Sequence, residues 1–296
     1  MDKLKGYLLA VISASSYGLI PLFVLPIKQV NFSLNVTLFY RFLISAICIA
    51  LIILSKKNNL KIPPNECIYM ILLGVFYALS SEFLFRGYDL LTPGIASTIL
   101  FAYPIIVALI MNLGFKEKLR PLTIVALAIS FLGILFLSAQ ESLFDLNLLG
   151  LVVSLGAALF YALYIVTVNQ AKLQSSGFQI TGYSMFFASI FYLIKSLINQ
   201  ESLILPGWSF MGDLVIFSLV TTVLSTLTLV YAIQKIGSTP TSIMGALEPV
   251  VAIFVSVLLF HEIITMNLVL GVILILLGVM MNIWAGTQKT KLNLSD

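Results

Sequence analysis

Four charged side chains stand inside stretches that are otherwise apolar: Arg41, Glu82, Arg86 and Glu248. A charge in hydrocarbon is costly, so each is expected to face a protein interior or water. Glu82 and Arg86 are four apart, on one helical face with Glu first, the favourable order for an ion pair. Asp89 follows near the external end of the same stretch. Arg41 and Arg86 suit a carboxylate through the planar fork of the guanidinium. Glu82 and Glu248 suit an amine, and a carboxylate that takes up and releases a proton would make protons a second cargo. These residues therefore read as a charged cluster for substrate binding or gating. Two alternatives stay open: Glu82 and Arg86 neutralise each other while Arg41 snorkels outward, and Glu248 serves a hinge beside Pro249.

Pro104 and Pro249 are mid-stretch prolines, each removing a backbone donor and freeing the carbonyl four residues earlier, at Leu100 and Gly245. Both helices are expected to loosen there, as hinges or cavity lining. Tyr17 and Tyr161 also lie mid-stretch, away from the interface belt where tyrosine concentrates. Buried phenols need partners, so both are expected to face a cavity or a helix contact, with Tyr77, Tyr103 and Tyr164 placed similarly. The alternative is ordinary packing.

The elements that must position these side chains follow from composition. The chain has 296 residues, 60% of them hydrophobic and 9% charged, with a net charge of +4. Its mean hydropathy is +1.10. Soluble domains carry about 25% charge, so soluble globular, disordered and disulfide-rich classes are excluded. A spanning helix uses about 20 apolar residues, so ten spans leave only short loops. Apolar stretches at 6–25, 35–55, 67–89, 93–114, 121–138, 147–168, 178–197, 211–234, 238–260 and 266–285 predict an all-α polytopic membrane protein. A β-barrel would need alternation over about ten positions, and Val269 to Met281 is apolar on every side.

Lysine and arginine set the expected orientation. With the N-terminus in the cytoplasm, Lys3, Lys5, Lys56, Lys57, Lys61, Lys116, Lys118, Arg120, Lys172, Lys235, Lys289 and Lys291 fall on the cytoplasmic side, and Lys28 and Lys195 on the other. Twelve against two favours both termini inside. The start resembles a signal peptide in its charge and small residues, but an internal repeat argues against cleavage. At a shift of 144–145 residues Gly6 meets Gly150, Tyr17 Tyr161, Ser80 Ser225, Ser97 Ser242, Pro104 Pro249, Phe115 Phe260, Glu117 Glu262 and Gly133 Gly278. Five spans per half is odd, so the ten helices are expected as two inverted five-helix repeats, a recurring transporter architecture. The repeats run over 1–140 and 145–287, and 288–296 is a cytoplasmic tail.

The chain resembles the EamA-type branch of the drug/metabolite transporter superfamily. The resemblance rests on Gly237-Ser238-Thr239 opening a span, Glu248-Pro249-Val250-Val251-Ala252 within it and His261-Glu262 at its end. The first half carries Tyr103-Pro104-Ile105 and Lys116-Glu117-Lys118-Leu119 at the equivalent places. It implies a ten-helix inverted-repeat fold, a central pathway and transport of small organic metabolites.

Other readings lack parts. His261 is the sole histidine, so no zinc cluster and no Ser-His or Cys-His constellation assembles, and Cys48 and Cys67 support no disulfide framework. No enzyme, cofactor, metal or nucleic-acid partner is expected. Glu117 and Glu262 read as caps or bridges at helix ends, and His261 as a surface residue. Gly94, Gly150, Gly156, Gly271 and Gly278 suggest close helix packing; the Gly271/Gly278 face is expected to meet another helix or another protomer, as in a homodimer. The expected function is secondary, alternating-access transport of a small-molecule substrate, an amino acid or amino-acid-like amine compound, in the cytoplasmic (inner) membrane of a bacterium. An uncoupled facilitator or exporter, and a non-transporting membrane scaffold, are the rivals.

Overall fold

The computed structural model describes residues 2–20, 22–23, 32–57, 59–91, 96, 99–138, 147–260 and 265–292. Among them it is all-helical, with no strand. Helices α1 (Asp2–Tyr17), α2 (Leu34–Ser55) and α3 (Cys67–Leu90) are followed by α4 (Tyr103–Leu109), which runs into a π-helical stretch at Ile110–Gly114, and by α5 (Pro121–Ser138). Then come α6 (Leu148–Gln170) and α7 (Gly177–Ile198). The eighth element, α8, comprises Trp208–Ser218, a π-helical stretch Leu219–Leu224 and Ser225–Ile236. The ninth, α9, is in two pieces, Ser238–Met244 and Leu247–Phe260, and α10 covers Met266–Leu292.

Among the described residues six segments are long and apolar enough to cross a membrane alone: α2, α6, α7, Pro64–Leu90, Phe210–Ile236 and Met266–Ala285. Tyr103–Gly114 and Pro121–Phe136 are shorter apolar helices. Segment starts follow local chemistry. Ser33 accepts from the Val36 amide at α2, Asn147 from Leu149 and Gly150 at α6, and Ser176 forms a reciprocal capping box with Gln179 at α7. Each satisfies amides that a helix start leaves unpaired. Gly237 sits between α8 and α9 at φ +88°, a left-handed conformation suited to glycine. One expectation shifts: helix α10 continues to Leu292, so the predicted tail begins as helix.

Both proline-bearing helices are interrupted. In α9 the chain turns at Gly245-Ala246, and the Gly245 carbonyl, which Pro249 cannot serve, accepts from the Glu248 amide at 2.9 Å. The fourth stretch turns at Phe101-Ala102, just before Pro104, and Ala102 accepts from both Ile105 and Ile106. The missing proline donors explain why both breaks take tighter three-residue hydrogen bonds.

Helix α1 packs on α8 and α9, α2 on α7 and α8, α3 on α6 and α7, α4 on α6 and α9, and α5 on α10. The most extensive pairings, α5 with α10, α2 with α7, and α1 with α8 beside α3 with α6, exchange when five is added to each helix number, cyclically, whereas α7 with α8, α6 with α8 and α9 with α10 also pack, with no comparable counterpart among the described residues. Local contacts repeat at the same shift. Ser80 donates to the Ala157 carbonyl at 3.0 Å, and Ser225 to that of Ser13 at 3.1 Å. Gly6 packs on Ile236, and Gly150 on Leu91. Gly133 and Gly278 meet the opposing helix of the α5–α10 pair, where an added Cβ at Gly133 would lie 2.7 Å from the Gly271 carbonyl oxygen. The small-residue face of α10 is thus packed inside the chain.

Candidate functional site

The centre of the bundle is a continuous aromatic cluster. Tyr17 of α1 and Tyr161 of α6 stack at 6.1 Å between centroids. Tyr161 also meets Tyr103 edge-on at 4.7 Å and Tyr77 at 6.3 Å. Tyr77 continues to Tyr164 and Phe42, and Phe42 to Tyr192. All five tyrosines singled out in the sequence therefore come together. Tyr77 also shares a hydrogen bond with Thr226 of α8, at 3.3 Å.

Glu248 stands at one side of this cluster, 5% exposed. Tyr103 Oη donates to its Oε1 at 3.5 Å. The hydroxyl fits because Gly245 has no side chain: a Cβ there would fall on Tyr103 Oη. On the other flank Gly18 lets α1 approach, since a Cβ on it would lie 2.5 Å from the Glu248 carbonyl oxygen. The helix break beside Pro249 thus delivers a buried carboxylate to the tyrosines.

Arg41 stands at another side, 2% exposed. It does not snorkel. Its Nε donates to Thr222 Oγ1 at 2.6 Å, and Nη2 to Thr221 Oγ1 at 3.2 Å and to the Thr221 carbonyl at 3.4 Å. The guanidinium carbon lies 4.4 Å from the Phe217 ring centroid and 5.6 Å from that of Phe42. Among the described residues no carboxylate pairs with it. The rings connect the two residues: Phe42 lies beside Arg41 and against Tyr77, and Tyr77 reaches Tyr161, Tyr103 and so Glu248.

Glu82 and Arg86 do pair, with Arg86 Nε 2.8 Å from Glu82 Oε1. The second partner of Glu82 is Lys195, near the end of α7, which the charge count assigned to the far side. The Arg86 side chain is 63% exposed, so its pairing leaves it at the protein surface. No ion pair among the described residues joins this network to Arg41 or Glu248. Asp89 is exposed. The Glu117 side chain is exposed too, and its backbone amide closes the α4 end on the Met111 carbonyl. Ser97, Gly94, Lys28, His261 and Glu262 lie outside the described residues.

Sequence reasoning missed Thr221, Thr222, Lys195 and Tyr192. The one available signal was the density of hydroxyl residues in Ser218-Leu219-Val220-Thr221-Thr222-Val223-Leu224-Ser225-Thr226, unusual for an apolar span. Among the described residues no His, Cys, Asp or Glu side chains group as metal ligands.

Comparison with known proteins agrees with an integral membrane transporter. Two Bacillus subtilis (strain 168) relatives are similar over most of their length. The uncharacterised transporter YvbV is 23% identical across 84% of this chain and 82% of its own. The uncharacterised transporter YoaV is 25% identical across 84% and 87%. A solved crystal structure superposes with a TM-score of 0.79 at 15% identity, covering 96% of this chain and 98% of that one, a likeness of fold. The family model of EamA-like transporters matches twice, over residues 4–139 and 148–284. The chain belongs to the EamA-like transporter family, within the drug/metabolite transporter superfamily.

Proposed function

We propose that the protein is a secondary transporter of a small zwitterionic metabolite, an amino acid or a similar amine-bearing carboxylate. The observation that carries this reading is Arg41: a guanidinium buried at 2% exposure with hydroxyl, carbonyl and aromatic neighbours and no carboxylate partner among the described residues. A buried charge is costly unless paired, and a substrate carboxylate supplies the missing counter-charge. Glu248, across the tyrosines, suits the amine.

Transport proceeds by rocking of two five-helix halves of opposite topology about this centre. The helix pairing that survives exchange of the halves, and the matched Ser80–Ala157 and Ser225–Ser13 hydrogen bonds, support that arrangement. The broken α4 and α9 helices act as hinges, in keeping with interrupted helices at transporter sites. Protonation of Glu248 couples the cycle to the proton gradient. The basic-residue asymmetry supports a bacterial cytoplasmic membrane with both termini inside.

Purified protein in liposomes, screened with labelled amino acids, amines and nucleoside-like metabolites with and without a pH gradient, tests this. Saturable uptake of a zwitterion that Arg41→Gln abolishes is expected. Uptake only of amines or nucleosides removes the zwitterion assignment, and no movement of any solute removes the transport cycle.

A further inference from the structure

Arg41 is held along one edge of its guanidinium, through Nε and Nη2. A guanidinium offers a side-on fork, Nε with Nη2, and an end-on fork, Nη1 with Nη2, each matching a carboxylate. The two threonines fill the side-on fork: Thr222 takes Nε, and Thr221 takes Nη2 through both its hydroxyl and its carbonyl oxygen. Nη1 donates to no partner among the described residues. The Phe217 ring, 4.4 Å from the guanidinium carbon, backs the group.

Adjacent residues of an α-helix do not face the same way. Thr221 and Thr222 nonetheless both reach one guanidinium, and both lie in the π-helical stretch Leu219–Leu224, the kind of local expansion that recurs at functional sites. Thr221 Oγ1 gives its own proton to the Phe217 carbonyl at 2.8 Å, so its lone pairs are left for Arg41. Hydroxyls are neutral acceptors. They fix the plane of the guanidinium without cancelling its charge, as an aspartate or glutamate would.

We infer that Thr221 and Thr222 are positioning residues that turn the unpartnered Nη1 of Arg41 toward the substrate carboxylate and so set the preference for carboxylate-bearing solutes. This rests on the carboxylate-binding role of Arg41 proposed above.

The test uses the full chain in detergent micelles and the probe pair L-phenylalanine and L-phenylalaninamide, which differ at the carboxylate. Affinities are read for wild type, Thr222→Val, Thr222→Ser, Thr221→Val and Arg41→Gln. The chain's arginines are Arg41, Arg86 and Arg120, so ¹⁵N-arginine labelling follows the Arg41 Nε–H directly and, with the melting temperature, reports whether each variant is folded. Wild type is expected to prefer phenylalanine and to shift its Arg41 signal on binding. Thr222→Val is expected to lose about tenfold of that preference, the worth of a hydrogen bond to a charged group, with Thr222→Ser restoring it. If Arg41→Gln removes the preference while both valine variants keep it, the positioning role is overturned and the role of Arg41 stands. If the valine variants weaken both probes equally, the threonines are structural and the inference fails. If wild type shows no preference, or Arg41→Gln retains it, the carboxylate-binding role of Arg41 falls and the inference with it.

Discussion

Tyr103 and Glu248 are 145 positions apart, each directly precedes a repeated proline, and the hydroxyl of the first lies 3.5 Å from Oε1 of the second. Two positions matched by the internal sequence repeat thus touch one another. Tyr17 and Tyr161, 144 apart, do the same through their rings. At one meeting a phenol stands against a carboxyl group, at the other phenol against phenol.

Glu248→Gln keeps an oxygen to accept from Tyr103 and removes the titrating proton. The variant is expected to lose acceleration by a pH gradient and, with the counter-charge of the amine removed, to run solute counterflow in liposomes only at higher substrate concentration. Gradient acceleration kept by the variant would remove Glu248 from proton coupling, and an unchanged substrate affinity would remove it from the amine.

Gly245→Ala places a methyl group on the Tyr103 hydroxyl. Overpacking of this kind costs about 1–3 kcal/mol. Tyr103→Phe frees the space, so the double variant is expected to melt above Gly245→Ala alone, a non-additivity typical of touching residues. Additive melting shifts would show that the two do not compete for one volume.

The two cations on Glu82 are unequal. Arg86 is 63% exposed at its side chain, Lys195 25%. Exposed pairs contribute about 0–1 kcal/mol, whereas hydrogen bonds to a charged group reach about 1.5–3 kcal/mol when sheltered. Lys195→Met is therefore expected to lower the melting temperature more than Arg86→Met does. The reverse order would place the main anchor of Glu82 at the surface.

Glycine at the α5–α10 contact has no room for a side chain. A Cβ on Gly278 would lie 2.7 Å from the Ala126 carbonyl oxygen and collide with Ser130. Gly212 has nothing within 4 Å. Gly278→Ala is expected to destabilise by about 1–3 kcal/mol, and Gly212→Ala to stabilise by up to about 1 kcal/mol through helix propensity. Thermal unfolding in micelles distinguishes them, and equal shifts would refute the tight contact.

Single cysteines on a background with Cys48 and Cys67 replaced by serine check the orientation. Lys61→Cys, between α2 and α3, is expected to react with a membrane-impermeant maleimide only after cells are opened. Gln200→Cys, between α7 and α8, is expected to react in intact cells. The opposite pattern reverses the topology.

Composition alone dictated a helical membrane protein, because a chain with 9% charge has too little polar surface to face water on all sides. The Glu82–Arg86 pair was legible because i,i+4 spacing fixes proximity on any helix. So were the breaks near Pro104 and Pro249, since a missing donor acts locally. Helix packing decided the rest. Arg41 and Thr222 are 181 positions apart, and Tyr103 and Glu248 145. Such meetings depend on which helices become neighbours and at what rotation, and a nearly uniform apolar run carries little periodicity to announce either. The π-helical stretch of α8 was equally silent, because it is a change in backbone hydrogen-bond register, and only the packed bundle shows that two adjacent hydroxyls within it meet one buried cation.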